Sequence, residues 1–203
     1  MSQYKLTYFN VKALGEPIRM ILHYMGKDFE DERVSLEEWQ KLKQRSPFGK
    51  LPTLEVDGKV LHQSNAVCRY LAKEANLRGS NDWEDLQIDI IVDTFQDFRK
   101  EVSLFHHEPD PAVKETKKAK ILNETLPYYF SKFDKMVEEN KGYFANGKLS
   151  WADFYLGGFS DSLVTLLGVD IYADYPNLKT WRAKFFEIPQ VKDWISKRPQ
   201  TAL

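Results

Sequence analysis

Cysteine is nearly missing from this sequence: Cys68 is the only one in 203 residues. An internal disulfide framework, a Cys-x-x-Cys redox pair and a thiolate-built zinc site are therefore excluded. His23, His62, His106 and His107 show no zinc-ligand spacing. An excess of either charge is missing too, since 29 basic and 30 acidic residues leave a net charge of −1. That balance gives no overall electrostatic reason to bind nucleic acid or an anionic membrane. No apolar run is long enough to span a bilayer, and the first ten residues lack the apolar core of a secretory signal. There is no internal repeat and no low-complexity stretch. The expectation is a cytoplasmic, metal-free protein without nucleic-acid or membrane partners.

What is present is core material. Apolar residues make up 42% of the chain and aromatics 14%, enough for one large domain or two small ones sharing an interface. Tyr4, Leu6 and Tyr8 alternate as on a strand. Gly15 and Pro17 introduce a helix carrying Ile18, Ile21, Leu22 and Met25, with Gly26 placed to end it. Phe29 to Val34 reads as a second strand whose acidic residues suit an edge, and Leu36 to Gln44 as a short helix. Pro47, Gly49 and Pro52 then forbid helix. Thr53 to Val56 and Lys59 to Leu61 form a hairpin through Asp57-Gly58, and Ser64 is placed to cap a helix with Val67, Tyr70 and Leu71. The order β-α-β-α-β-β-α closes near Ala75. A boundary in the polar stretch Asn76 to Asp82 divides the chain into residues 1–79 and an all-helical unit, 80–203. Trp83 to Glu101, Pro111 to Glu139, Trp151 to Leu167 and two segments after Pro176 carry its helical periodicity.

Few residues could carry chemistry, and each has a plain structural alternative. Tyr8, near a strand end, reads alone as an amphipathic core tyrosine. A cis bond before Pro52 would free the main chain of Leu51 to pair with an extended peptide ligand; a trans proline at a strand start would not. Gln63-Ser64 precedes a helix whose N-terminus would attract a carboxylate, although Ser64 could simply be a cap. Trp39, Lys43 and Lys50 flank this region, either to hold a second carboxylate or as surface residues. Asp85, Asp89, Asp93 and Asp97 form a stripe on one helix, at a spacing that costs an isolated helix roughly 0.2–0.5 kcal/mol per pair. The stripe is either a solvated face or faces cations, such as Arg69 of a second subunit or a ligand amine. Ser150 with Asp153 reads as a capping box, not as catalytic.

Taken together, Tyr4-Lys-Leu-Thr-Tyr8, Ala13-Leu-Gly-Glu-Pro-Ile-Arg19, Phe48-Gly-Lys-Leu-Pro-Thr-Leu54 and Gln63-Ser64 with Arg69-Tyr-Leu-Ala72 resemble the cytosolic glutathione S-transferases, in particular the sigma class and its insect members. Asp89-Ile-Ile-Val-Asp-Thr94 and Trp151-Ala-Asp-Phe154 extend the resemblance across the chain. It implies a thioredoxin-like N-terminal domain that binds glutathione as co-substrate, a helical domain that completes an electrophile pocket, and a homodimer. Tyr8 matches the catalytic tyrosine. Trp39, Lys43, Lys50, Leu51, Pro52, Gln63 and Ser64 match glutathione contacts, and Asp97 matches an aspartate reaching the glutathione amine of the neighbouring subunit. Phe9 and Leu14, then Leu104 and Tyr155, are the candidates for the electrophile pocket. Several sigma-class members, including vertebrate prostaglandin D synthases, carry arginine where this chain has Leu14. The departure bears on arginine-assisted sulfur activation and leaves the tyrosine mechanism intact. The implied activity is conjugation of hydrophobic electrophiles, such as lipid aldehydes or aryl halides, with peroxidase activity a possible accompaniment. The alternatives are a prostaglandin D isomerase and a non-catalytic ligand carrier or lens-type relative.

Overall fold

The computed structural model describes residues 3–201. Strands β1 (Tyr4–Phe9), β2 (Phe29–Val34), β3 (Thr53–Val56) and β4 (Lys59–His62) form one sheet in the order β2-β1-β3-β4. β2 runs parallel to β1, which requires the crossover helix α1 (Glu16–Tyr24), while β3 and β4 are antiparallel. Asp57 and Gly58 both take positive φ, 49° and 80°, as a two-residue turn matched to strand twist requires. β2 lies at the edge, as its acidic residues suggest.

Helices α2 (Leu36–Leu42) and α3 (Ser64–Glu74) complete the α/β unit. α2 tightens into a 3₁₀ turn at Lys43–Arg45, and Ser46, held extended at ψ 133° ahead of Pro47, stops it. Ser64 does not cap α3; it is the first helical residue, and Gln63 occupies the cap with φ 70° and ψ 98°.

The rest of the described chain is helical: α4 (Asp82–His106), α5 (Pro111–Lys120), α6 (Leu126–Glu139), α7 (Trp151–Leu167), α8 (Pro176–Phe186) and α9 (Pro189–Lys197). α4 runs past Glu101 because Val102 and Phe105 still face the core. The expected single helix from Pro111 to Glu139 instead widens into a π segment at Ile121–Thr125. Pro127 has no N–H to return to the Asn123 carbonyl, so the i→i+4 ladder cannot pass it unbroken.

α7 is the central post of the helical unit, buried at every position from Trp151 to Ser160. It meets α1 closely: a Cβ on Gly158 would lie 2.9 Å from Pro17. The α/β unit and the helical unit are thus joined through α1, beside the loop that follows β1.

Candidate active site

β1 pairs with β2 along its whole length but with β3 only as far as Thr7 opposite Thr53. Tyr8 and Phe9 therefore extend beyond the β3 ladder, next to the turn that leads into β3. The Tyr8 ring is 6% exposed. It lies against Gly15, where a Cβ would fall 2.6 Å from Tyr8 Cδ1, and the Arg19 guanidinium carbon sits 5.8 Å from the ring centre. Burial pushes the phenol's pKa up; the Leu14 backbone N–H directed at the hydroxyl and the charges of Arg19 and Arg99 only partly oppose this. At neutral pH the group keeps its proton and is a hydrogen-bond donor.

Around it lie the other expected residues. The Leu51–Pro52 bond is cis. No hydrogen bond joins the main chain of Leu51 to another described residue, so its N–H and C=O are available to a peptide-like ligand. Trp39 is buried and meets Phe9 edge-on, ring centres 6.2 Å apart. The Lys43 stem lies beside Gly49, where a Cβ would fall 3.4 Å from it, and Lys50 is exposed, its carbonyl held by Ser46 Oγ at 2.6 Å. Ser64 is 7% exposed at the start of α3. Gln63, with its left-handed φ, is a strained backbone position of the kind found at ligand clamps.

A donor phenol, an unpaired extended segment and a helix N-terminus thus share one end of the sheet. Two family models match the chain: the glutathione S-transferase N-terminal domain over residues 4–73, and the glutathione S-transferase C-terminal domain over residues 96–198. The chain belongs to the glutathione S-transferase family. It is 45% identical over 201 residues to a glutathione S-transferase of Anopheles gambiae, covering 99% of each chain. The solved prostaglandin synthase D of Nilaparvata lugens is 47% identical, with a TM-score of 0.95 and coverage of 98% of this chain and 100% of that one. A monomeric glutathione S-transferase of the hookworm Necator americanus is 33% identical, with a TM-score of 0.89 over 99% and 100% of the two chains.

In this glutathione S-transferase fold the acidic stripe is mostly satisfied within the chain. Asp85 pairs with Arg78, Asp89 with Arg69 at 2.8 Å, and Asp93 accepts from Asn65 at 3.4 Å. Arg69 is therefore not reserved for a second subunit's stripe. Asp97 differs: it is exposed, and neither an ion pair nor a hydrogen bond joins it to another described residue. Phe9 and Leu14 are half-buried beside Tyr8, whereas Leu104 is 51% exposed on the outer face of α4. Tyr155 does not line an open pocket here. It is fully buried, with its ring among Phe95, Trp151 and Phe159 and its hydroxyl beside Ser64 and Cys68.

Gly15, Arg19 and Arg99 are the residues the sequence reading passed over. Arg19 and Glu16, one turn apart, are both buried among the apolar residues of α1, and that charged pair within an apolar stretch was the available signal. Arg99 hydrogen-bonds to Gln96 and stacks over Phe159 at 5.7 Å, contacts that no periodicity announces. Among the described residues no cluster of histidine, cysteine or carboxylate side chains could hold a metal. No described helix is long and apolar enough to cross a membrane.

Proposed function

We propose that this enzyme conjugates glutathione to hydrophobic electrophiles, with the Tyr8 hydroxyl donating a hydrogen bond to the sulfur. The observation that carries the reading is the protonated, buried phenol of Tyr8 at the open end of β1. A cysteine-like thiol titrates near pH ~8.5, so only a few per cent is ionised at pH 7. A hydrogen bond to a charged acceptor contributes about 1.5–3 kcal/mol, which lowers the thiol pKa by roughly one to two units. A drop of about two units raises the ionised fraction to about three-quarters. The thiolate then attacks carbon, expelling halide from an aryl halide, or adding to the β-carbon of an unsaturated aldehyde, whose enolate takes up a proton. Reduction of a peroxide would consume a second glutathione and yield the disulfide.

The tripeptide is assigned to Leu51, cis-Pro52 and Gln63, with its carboxylates at Ser64 and at Trp39, Lys43 and Lys50, and its amine at Asp97 of a second subunit. Phe9 and Leu14 supply the near wall of an apolar electrophile site, gaining effective molarity by fixing both reactants. Residues 1–79 form the glutathione-binding domain and 80–203 the helical one, in a cytoplasmic homodimer of the sigma class with a detoxifying role. A second reading, isomerisation of a prostaglandin endoperoxide, is favoured by the similarity to the Nilaparvata prostaglandin synthase; a product assay separates the two.

Tyr8→Phe tests the central assignment. Glutathione affinity should persist while turnover of a model aryl halide at pH 7 falls about tenfold or more, the loss expected from one to two pKa units. Wild-type turnover in this variant would remove Tyr8 from the reaction.

A further inference from the structure

Arg19 is a buried cation at 0% exposure with an uneven set of partners. Its Nε donates to Asp31 at 2.9 Å, and its Nη1 donates to the Val11 carbonyl at 2.7 Å and to Glu16 at 3.3 Å. Its Nη2 is buried without a hydrogen bond. Neither carboxylate belongs to Arg19 alone. Asp31 also accepts from Arg33 at 2.7 Å. Glu16, itself 0% exposed, also accepts from Arg198 and from the Trp194 indole, both at 2.8 Å. Arg198 continues to Asp161 at 2.6 Å, and Asp161 to Arg182 at 2.9 Å.

The result is an alternating chain, Arg33–Asp31–Arg19–Glu16–Arg198–Asp161–Arg182, that begins and ends with a cation. Four guanidiniums share three carboxylates, so the chain carries one positive charge in excess. Charges removed from water are costly unless matched, and the chain is most deeply buried at Arg19 and Glu16, where it passes beneath the Tyr8 ring with the Arg19 guanidinium carbon 5.8 Å from the ring centre. A cation at that distance attracts the ring face and favours any anion held at the hydroxyl. Gly15 leaves the contact open: a Cβ there would lie 2.6 Å from Tyr8 Cδ1 and 3.2 Å from Arg19 Nη1.

We propose that Arg19 is a positioning residue for Tyr8, fixing its ring from below and, as the buried cation of an ionic chain with one positive charge in excess, stabilising the sulfur anion that the hydroxyl holds. The proposal rests on the assignment of Tyr8 to the sulfur. It gives this chain, which has Leu14 and no arginine at that position, a guanidinium beneath the tyrosine. The other groups that face Tyr8 are the Leu14 N–H of the turn after β1, Arg99 of α4 and Tyr155 of α7. Arg99 is hydrogen-bonded to Gln96 and lies outside the ionic chain.

The test is the pH midpoint of the ultraviolet thiolate band of enzyme-bound glutathione, read in the full-length protein and its variants. Arg19→Gln removes the cation and should move the midpoint up by about one pH unit, an approximately tenfold loss of thiolate below it. Glu16→Gln and Asp31→Asn leave the chain more positive and should move it down. Opposite signs separate an electrostatic role from mere distortion, which would weaken the site in all three. In a Tyr8→Phe background the Arg19→Gln shift should shrink, because part of it acts through the hydroxyl. Should Arg19→Gln fail to fold, Asp31→Asn, at the more exposed of Arg19's two carboxylate partners, carries the test alone. An unchanged midpoint in a folded Arg19 variant, or in Asp31→Asn, overturns the proposal, as do shifts of one sign in all variants. If Tyr8→Phe itself leaves the midpoint in place, it is the Tyr8 assignment that fails.

Discussion

One missing carbon at Gly15 determines where the Tyr8 ring can lie. A Cβ 2.6 Å from Tyr8 Cδ1 is closer than bonded neighbours aside any carbon pair tolerates, and the ring has no free space to retreat into at 6% exposure. Gly15→Ala is therefore expected to destabilise the fold by about 1–3 kcal/mol, the usual range for overpacking. It should lower kcat for conjugation while glutathione still binds, because Leu51, Gln63 and Ser64 are untouched. Urea midpoints and steady-state kinetics on one preparation check both parts; wild-type kcat would show that the ring relaxes without losing its function. The position of Tyr8 was legible, since strict alternation put it on the buried face of β1. Arg19 was not, because its partners reach from Val11 to Asp31, and beyond them through Glu16 to Arg198, a separation in sequence that no local pattern encodes.

At the scale of elements, caps and turns were the most readable features, and their chemistry the least. Ser150 and Asp153 do form the capping box at the start of α7. The sequence did not reveal that the same carboxylate also accepts from Phe144 N at 3.3 Å and Trp181 Nε1 at 2.9 Å, pinning the preceding loop and α8 to α7. Burial outweighs these bonds and pushes the Asp153 carboxyl up to about 6. A folded-state pKa above the unfolded value means that the native state holds the proton more tightly. Its contribution is complete below about pH 4 and is lost as pH rises through about 6. The stability gap between the wild type and Asp153→Asn should accordingly be widest near pH 4 and narrow by about 3 kcal/mol by pH 7. Denaturant titrations at the two pH values measure it, and a gap that widens with pH would contradict the assigned direction. Ser64 is the opposite case. A serine before an apolar stripe looks like a cap, yet the positive φ of Gln63 shifts that place by one residue, and nothing in the local composition demands such strain.

At the scale of the molecule, α4 is apolar on two faces. Ile88, Ile91, Val92 and Phe95 enter the core, while Trp83, Leu86 and Ile90, 69%, 46% and 46% exposed, follow one another at helical spacing on the outside. Seven residues beyond Ile90, on the same outer line, stands Asp97. Phe48 at 84% and Tyr70 at 52% add large exposed apolar groups from the α/β unit. A helix with an apolar outer face tends to be covered, and a second copy of this chain would cover it while carrying Asp97 toward a neighbouring glutathione. The double substitution Trp83→Glu and Ile90→Glu should then yield a monomer by sedimentation and weaken glutathione binding about ten- to a hundredfold, the value of a hydrogen bond to a charged group. Asp97→Ala should weaken binding to a similar degree and remain a dimer. The pair of variants separates assembly from ligand contact: a monomeric wild type, like the Necator relative, would remove the second copy, and full affinity in the monomer would show that each chain holds the tripeptide's amine by itself.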